Sequence, residues 1–141
     1  MTQLNSPLGA SESHPDETRF TLQQFQWRSR VLVVSAPNAD DRKLQEQLSE
    51  LASTAEEFAD RDLVLVTLLD NADSLADGRR LTSAEVAATR AASGIGSGSF
   101  ALRLIGKDGS VKFSAAKATP VTEIYGLIDT MPMRQREMSQ R

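Results

Sequence analysis

Two short apolar runs constrain this chain more than any other feature. "VLVV", Val31 to Val34, and "LVLVTLL", Leu63 to Leu69, are continuous and partly β-branched. Such runs, without polar alternation, suit strands covered on both faces, as in parallel sheets. Between them Leu44, Leu48, Leu51, Ala52, Ala55, Phe58 and Ala59 recur at three- and four-residue spacing, with charged residues filling the rest. That pattern predicts one long amphipathic helix. Strand, helix, strand in this order makes a right-handed βαβ crossover.

The second half reads differently. "LTSAEVAATRAASG" predicts a helix, with Thr82 and Glu85 at capping-box spacing and Gly94 just past its end. "GIGSGS" is a flexible connector. "FALRLIGKDGSVKF" predicts a hairpin, two alternating runs flanking Asp108-Gly109. A last helix is expected to be capped by Thr119, start at Pro120 and carry the stripe Val121, Ile124, Leu127, Ile128 and Met131, with Pro132 kinking or ending it. Before the first run, Phe20, Leu22, Phe25 and Trp27 form an apolar cluster expected as a short lead-in strand or lid. The expected organisation is a disordered tail over 1–19, one domain over 20–138 and a C-terminal tail over 139–141. The expected fold is α/β and thioredoxin-like: βαβ then ββα around a central mixed sheet.

Composition excludes several chemistries. The 141 residues include no cysteine, which removes disulfides, thiolate metal sites and thiol nucleophiles. The one histidine, His14, falls in the expected tail, so a Ser-His-carboxylate triad or a histidine metal centre is not expected. A net charge of -3 argues against nucleic acid, which needs a basic face, and against a basic membrane-surface helix. The longest apolar run is too short to span a bilayer, for which about 20 residues are needed. The N-terminus lacks the basic start and apolar core of a signal peptide, so the expected compartment is the cytoplasm. "SGIGSGSF" follows a helix and opens a strand, the reverse of a dinucleotide loop. "DNADSLADG" lacks the third and twelfth ligands of a calcium loop.

In α/β proteins ligands gather at the carboxyl ends of strands. The first such exit here is "SAPNADD". Asn38 suits a helix N-cap, with Asp40 and Asp41 in the first turn where the helix dipole favours carboxylates. A cation held by Asp40 and Asp41 with Asp70 or Asp73 would need converging oxygens, and the spacing shows no convergence. Arg103 is expected on a solvated strand face, and Arg134 and Arg136 with Arg141 form a small basic C-terminal patch.

"FQWRSRVLVVSAP", "RDLVLVTLLD", "FALRLIGKDGSVKF" and "LIDTMPMRQREM", in order and spacing, resemble a domain family of unknown function. That family occurs in bacterial single-domain proteins and in animal sushi-repeat-containing and related matrix proteins. The resemblance runs from about Leu22 to Met138. It implies a thioredoxin-like fold comparable with peroxiredoxins, whose strand-to-helix exit carries the reactive thiol. The matching positions are Ala36, Pro37, Asn38 and Ala39, none of them cysteine, and the position of the thioredoxin cis-proline falls at about Ser99. The expected function is therefore a non-catalytic binding or interaction module for a protein or small-molecule partner, with no cofactor. Its expected surface comprises Pro37, Asn38, Asp40, Asp41, Ser97, Ser99, Arg134 and Arg136. The alternatives are an oxidoreductase-derived enzyme with a non-thiol or borrowed-thiol mechanism, and an assembly role for the Phe20, Phe25 and Trp27 cluster.

Overall fold

The computed structural model describes residues 19–141; the expectations for the N-terminal tail and for His14 lie outside the described residues. The two apolar runs become β1 (Arg30–Ala36) and β2 (Leu63–Leu69), parallel, with Arg30 opposite Leu63 and Ala36 opposite Leu69. On the other side of β1 lies β5 (Ala101–Ile105), antiparallel, followed by β6 (Val111–Ala115). The two-residue strands β3 (Leu75–Ala76) and β4 (Arg79–Arg80) extend the sheet beyond β2. The order is β4-β3-β2-β1-β5-β6. All seven residues of β1 are buried, as a central strand covered on both faces requires.

Alternate β1 side chains feed two cores. Leu32, Val34 and Ala36 pack with Leu44 and Leu51 of α1 (Arg42–Ser53) and with Ile124 and Ile128 of α4 (Val121–Asp129). Val31 and Val33 pack with Val66, Leu68, Leu81, Ile95 and Phe20 on the opposite face, beside α3 (Ser83–Ser93). Truncating one of the fully buried leucines, Leu32 for example, removes about 2–5 kcal/mol. Buried Gln47 ties α1 to the start of α4, donating to the Thr119 carbonyl at 3.0 Å and accepting its N–H at 2.7 Å.

Three local expectations are corrected. The long helix breaks at Thr54, and α2 (Ala55–Asp60) follows as a separate element. Thr54 turns its hydroxyl back to the Glu50 carbonyl at 2.9 Å and meets the Tyr125 hydroxyl at 2.7 Å. The lead-in is not a strand but a single 3-10 turn, Leu22–Phe25, closed by reciprocal Thr21 and Gln24 caps. Thr119 does not cap the last helix: Pro120 occupies the N-cap, and Glu50 Oε1 of α1 accepts the Val121 N–H at 2.9 Å. The last expected helix does end before Pro132, at Asp129, and Pro132 opens a further helix, α5 (Pro132–Ser139), as its first residue.

Two turn signals act as their chemistry dictates. Gly94 is left-handed at φ 74°, and the Thr82–Glu85 capping box is formed. Asp77 and Gly78, at φ 52° and 85°, make the two-residue turn between β3 and β4 that a type I′ hairpin needs. That hairpin has no long alternating run around it, and so escapes a reading based on periodicity.

Candidate functional site

At the carboxyl end of β1 the chain leaves through half-buried Pro37 into exposed Asn38, Ala39 and Asp40. Asn38 is not the helix cap. Its Oδ1 accepts the Asp40 N–H at 3.0 Å, forming a local turn, and Asp41 caps α1 by accepting the Leu44 N–H at 3.0 Å. The helix begins at Arg42, three residues later than an Asn38 cap would start it. The side-chain oxygens of Asn38 and Asp41 are thus engaged in shaping the exit.

Beside this exit stands a network that no sequence motif marks. Arg90, in the last turn of α3, reaches across to Ser35 Oγ at 3.0 Å, Asp70 Oδ1 at 2.8 Å and the Gly96 carbonyl at 2.7 Å. Asp70 Oδ2 in turn accepts the Gly98 N–H at 2.7 Å. Ser35 is fully buried at the end of β1, and Asp70 directly follows β2. One guanidinium therefore joins two strand ends and a loop. The only sequence cue is a basic residue at the carboxyl end of a helix.

The Gly96–Ser99 loop borders a hollow of about 410 Å³, lined by Ser97, Ser99, Phe100, Arg103, Ser114 and Ala116 among others. Ser97 and Ser99 are exposed, while Arg103 is half-buried and donates to the Gly94 carbonyl at 3.2 Å. Pro37, Asn38, Asp40 and Asp41 do not line this hollow. Asp73 pairs with Arg80 at 3.6 Å rather than with Asp70. Among the described residues, no three His, Cys, Asp or Glu side chains are grouped to hold a metal ion. Also among them, no helix is long and apolar enough to cross a membrane.

Arg134 and Arg136 lie at the opposite end of the sheet. Arg134 is only 2 % exposed and donates to Asp60 Oδ2 at 2.7 Å, the Asp60 carbonyl at 3.0 Å and Asp129 Oδ1 at 3.0 Å. Arg30 and Lys107 are buried nearby, both held by Glu137: Arg30 at 3.1 and 3.2 Å, Lys107 at 2.7 Å. Hydrogen bonds from Arg141 and Arg134 hold the Asp60 carboxyl down at about 2. Burial works to raise Asp129 and Glu137, but paired cations prevail and hold both below the usual carboxylate range. Arg136 is exposed and, among the described residues, has no ion-pair partner. The two arginines of the expected basic patch thus differ in kind, one buried in ion pairs and one exposed.

A mixed sheet with helices on both faces, its parallel pair central and an antiparallel hairpin at each edge, defines a thioredoxin-like α/β domain. It is similar to reduced Plasmodium vivax 2-Cys peroxiredoxin, with a TM-score of 0.57 and 16 % identity over 82 % of this chain and 84 % of that one. It is also similar to Plasmodium yoelii Prx1a modified at the N-terminus, with a TM-score of 0.59 and 17 % identity over 83 % of this chain and 81 % of that one. Residues 21–137 match the family described as Domain of unknown function (DUF4174), and the chain belongs to that family. It is similar to coiled-coil domain-containing protein 80 of Danio rerio, 31 % identical over 144 residues, which is 91 % of this chain and 17 % of that protein. The chain therefore corresponds to a small part of that relative's length.

Proposed function

We propose that this domain is a non-catalytic binding module whose ligand face lies at the carboxyl end of the sheet, around Ser97, Ser99 and Arg103. One observation carries the reading. Where a peroxiredoxin-like exit would carry its thiol, the chain has Ala36, Pro37, Asn38 and Ala39. The polar groups behind that exit, Ser35, Asp70 and Arg90, are bonded to one another rather than left available to a reacting atom. The Gly96–Ser99 loop then presents exposed serine hydroxyls on a rim held by Arg90 and Asp70. Such a rim is preorganised for hydrogen-bonded recognition, and it lacks a paired base and nucleophile.

Two measurements test this. Pure protein given hydrogen peroxide and reduced glutathione turns over no faster than glutathione alone; turnover that disappears in Asn38→Ala would overturn the reading. In a fragment screen followed by NMR, the first amide shifts fall on residues 96 to 103; a screen whose binders all shift amides elsewhere would count equally against it.

A further inference from the structure

A second hollow, at the amino end of the sheet, has a different chemistry. It encloses about 470 Å³ between the Trp27 turn, the Gly106–Asp108 hairpin loop and the α4–α5 junction. That size suits a small organic molecule. Its walls are apolar: Trp27, Leu127, Met131, Pro132 and Met133. Four cations line it, of which Arg30 and Lys107 are already paired with Glu137 and Lys112 with Asp108, so Arg136 is the lining cation without an ion-pair partner among the described residues.

Three features set it apart from a chance surface groove. Trp27 is 63 % exposed yet fixed in the left-handed region at φ 70°, its N–H donating to the Lys107 carbonyl. A bulky residue is disfavoured there, so the surrounding turn holds an indole toward solvent against a local penalty. Arg30, only 1 % exposed, has a buried Nε–H without a partner among the described residues. Finally, Lys112 is tied to Asp108 at 2.9 Å, whereas Arg136 stands at the mouth with no ion-pair partner among the described residues.

We infer that this hollow binds a small amphipathic anion: a flat apolar body stacked against Trp27 and cushioned by Met131 and Met133, with an anionic head toward Arg136. Flat bodies stack on indole, flexible thioethers fit irregular shapes, and a guanidinium holds a carboxylate by paired N–H donors. The site is separate from the Ser97–Arg103 rim and does not depend on it.

Trp27 is the only tryptophan, so its indole N–H resonance reports on this hollow alone. Titration of 15N-labelled protein with 2-naphthoate moves that resonance saturably, and uncharged 2-naphthalenemethanol binds at least tenfold more weakly. Arg136→Gln weakens naphthoate binding about fivefold. Because Arg136 is exposed and unpaired among the described residues, thermal unfolding of that variant stays unchanged. Equal binding of acid and alcohol would overturn the inference. So would shifts confined to residues 96 to 103, which would support the rim reading instead, or a response to anionic phospholipid vesicles without one to naphthoate.

Discussion

At the amino end of β1, Arg30, Lys107 and Arg134 are buried cations closed by carboxylates from distant parts of the chain, Glu137, Asp129, Asp62 and Asp60. At the carboxyl end one guanidinium, Arg90, holds Ser35 and Asp70, and exposed serines rise on a glycine loop above it. The first end has more charge, yet most of it is spent in docking α5 onto the sheet. The second has less charge but leaves hydroxyls exposed. Abundance of charged residues is thus a poor guide to where this molecule can bind; the informative groups are those unpaired among the described residues, Arg136 at one end and Ser97 and Ser99 at the other.

The comparison predicts that damage at the amino end is thermodynamic and damage at the carboxyl end is local. The largest effect belongs to Arg30→Ala, which opens a cavity and leaves Glu137 with fewer partners; urea unfolding should show a loss of about 3–5 kcal/mol. Arg30→Met should lose less, since it fills most of the same volume and Lys107 still pairs with Glu137. A loss under 1 kcal/mol for Arg30→Ala would break the contrast between the ends.

Acid comes next. Hydrogen bonds from Lys112 and Ser110 hold Asp108 at about 2, and Asp60 is held equally low. Burial acts to raise Glu85, but N–H donation from Phe20 and Thr82 and the Arg79 guanidinium overcome it and bring it to about 2. A carboxylate held lower in the folded than in the unfolded state stabilises fully above its unfolded pKa, near 4. That contribution fades as pH falls through the folded value near 2. Stability should therefore be flat above about pH 5 and fall between about pH 4 and 2. Glu85→Gln should lower the plateau and flatten the fall; an unchanged slope would show that these pairings form in the unfolded chain as well.

At the carboxyl end the effects are smaller. Arg90→Ala should cost about 1–2 kcal/mol and speed amide exchange at Gly98 while leaving β1 protected. Exchange that rises equally in β1 would merge the two ends into one cooperative unit. Asp41→Ala, which removes the α1 cap, should cost about 1 kcal/mol, read as a small shift in thermal midpoint.

Some of this was legible in the residues because its causes are local. The β1 and β2 runs, the Thr82–Glu85 box, the Gly94 stop and the alternating strands around Asp108 each carry their own instruction within a few positions. The break at Thr54 and the switch of cap from Asn38 to Asp41 were less legible, because a hydroxyl or carboxamide can choose between neighbouring backbone groups. The distinction between Arg134 and Arg136 was not legible at all. Two residues apart on one helix, they point to different surroundings, and the partner that buries Arg134 lies 74 positions away at Asp60.

The sequence by itself determined the central strands, the capped α3 helix with its glycine stop, the alternating strands around Asp108 and the absence of any thiol. Periodicity, turn chemistry and composition are written in neighbouring residues. Only the tertiary structure decided which polar groups are consumed and which stay free. That depends on side chains far apart in the chain meeting across the sheet, as Arg90 meets Ser35 and Arg30 meets Glu137. A charge's role follows from what it meets after folding, because burial without a partner is costly and burial with one leaves nothing for a ligand.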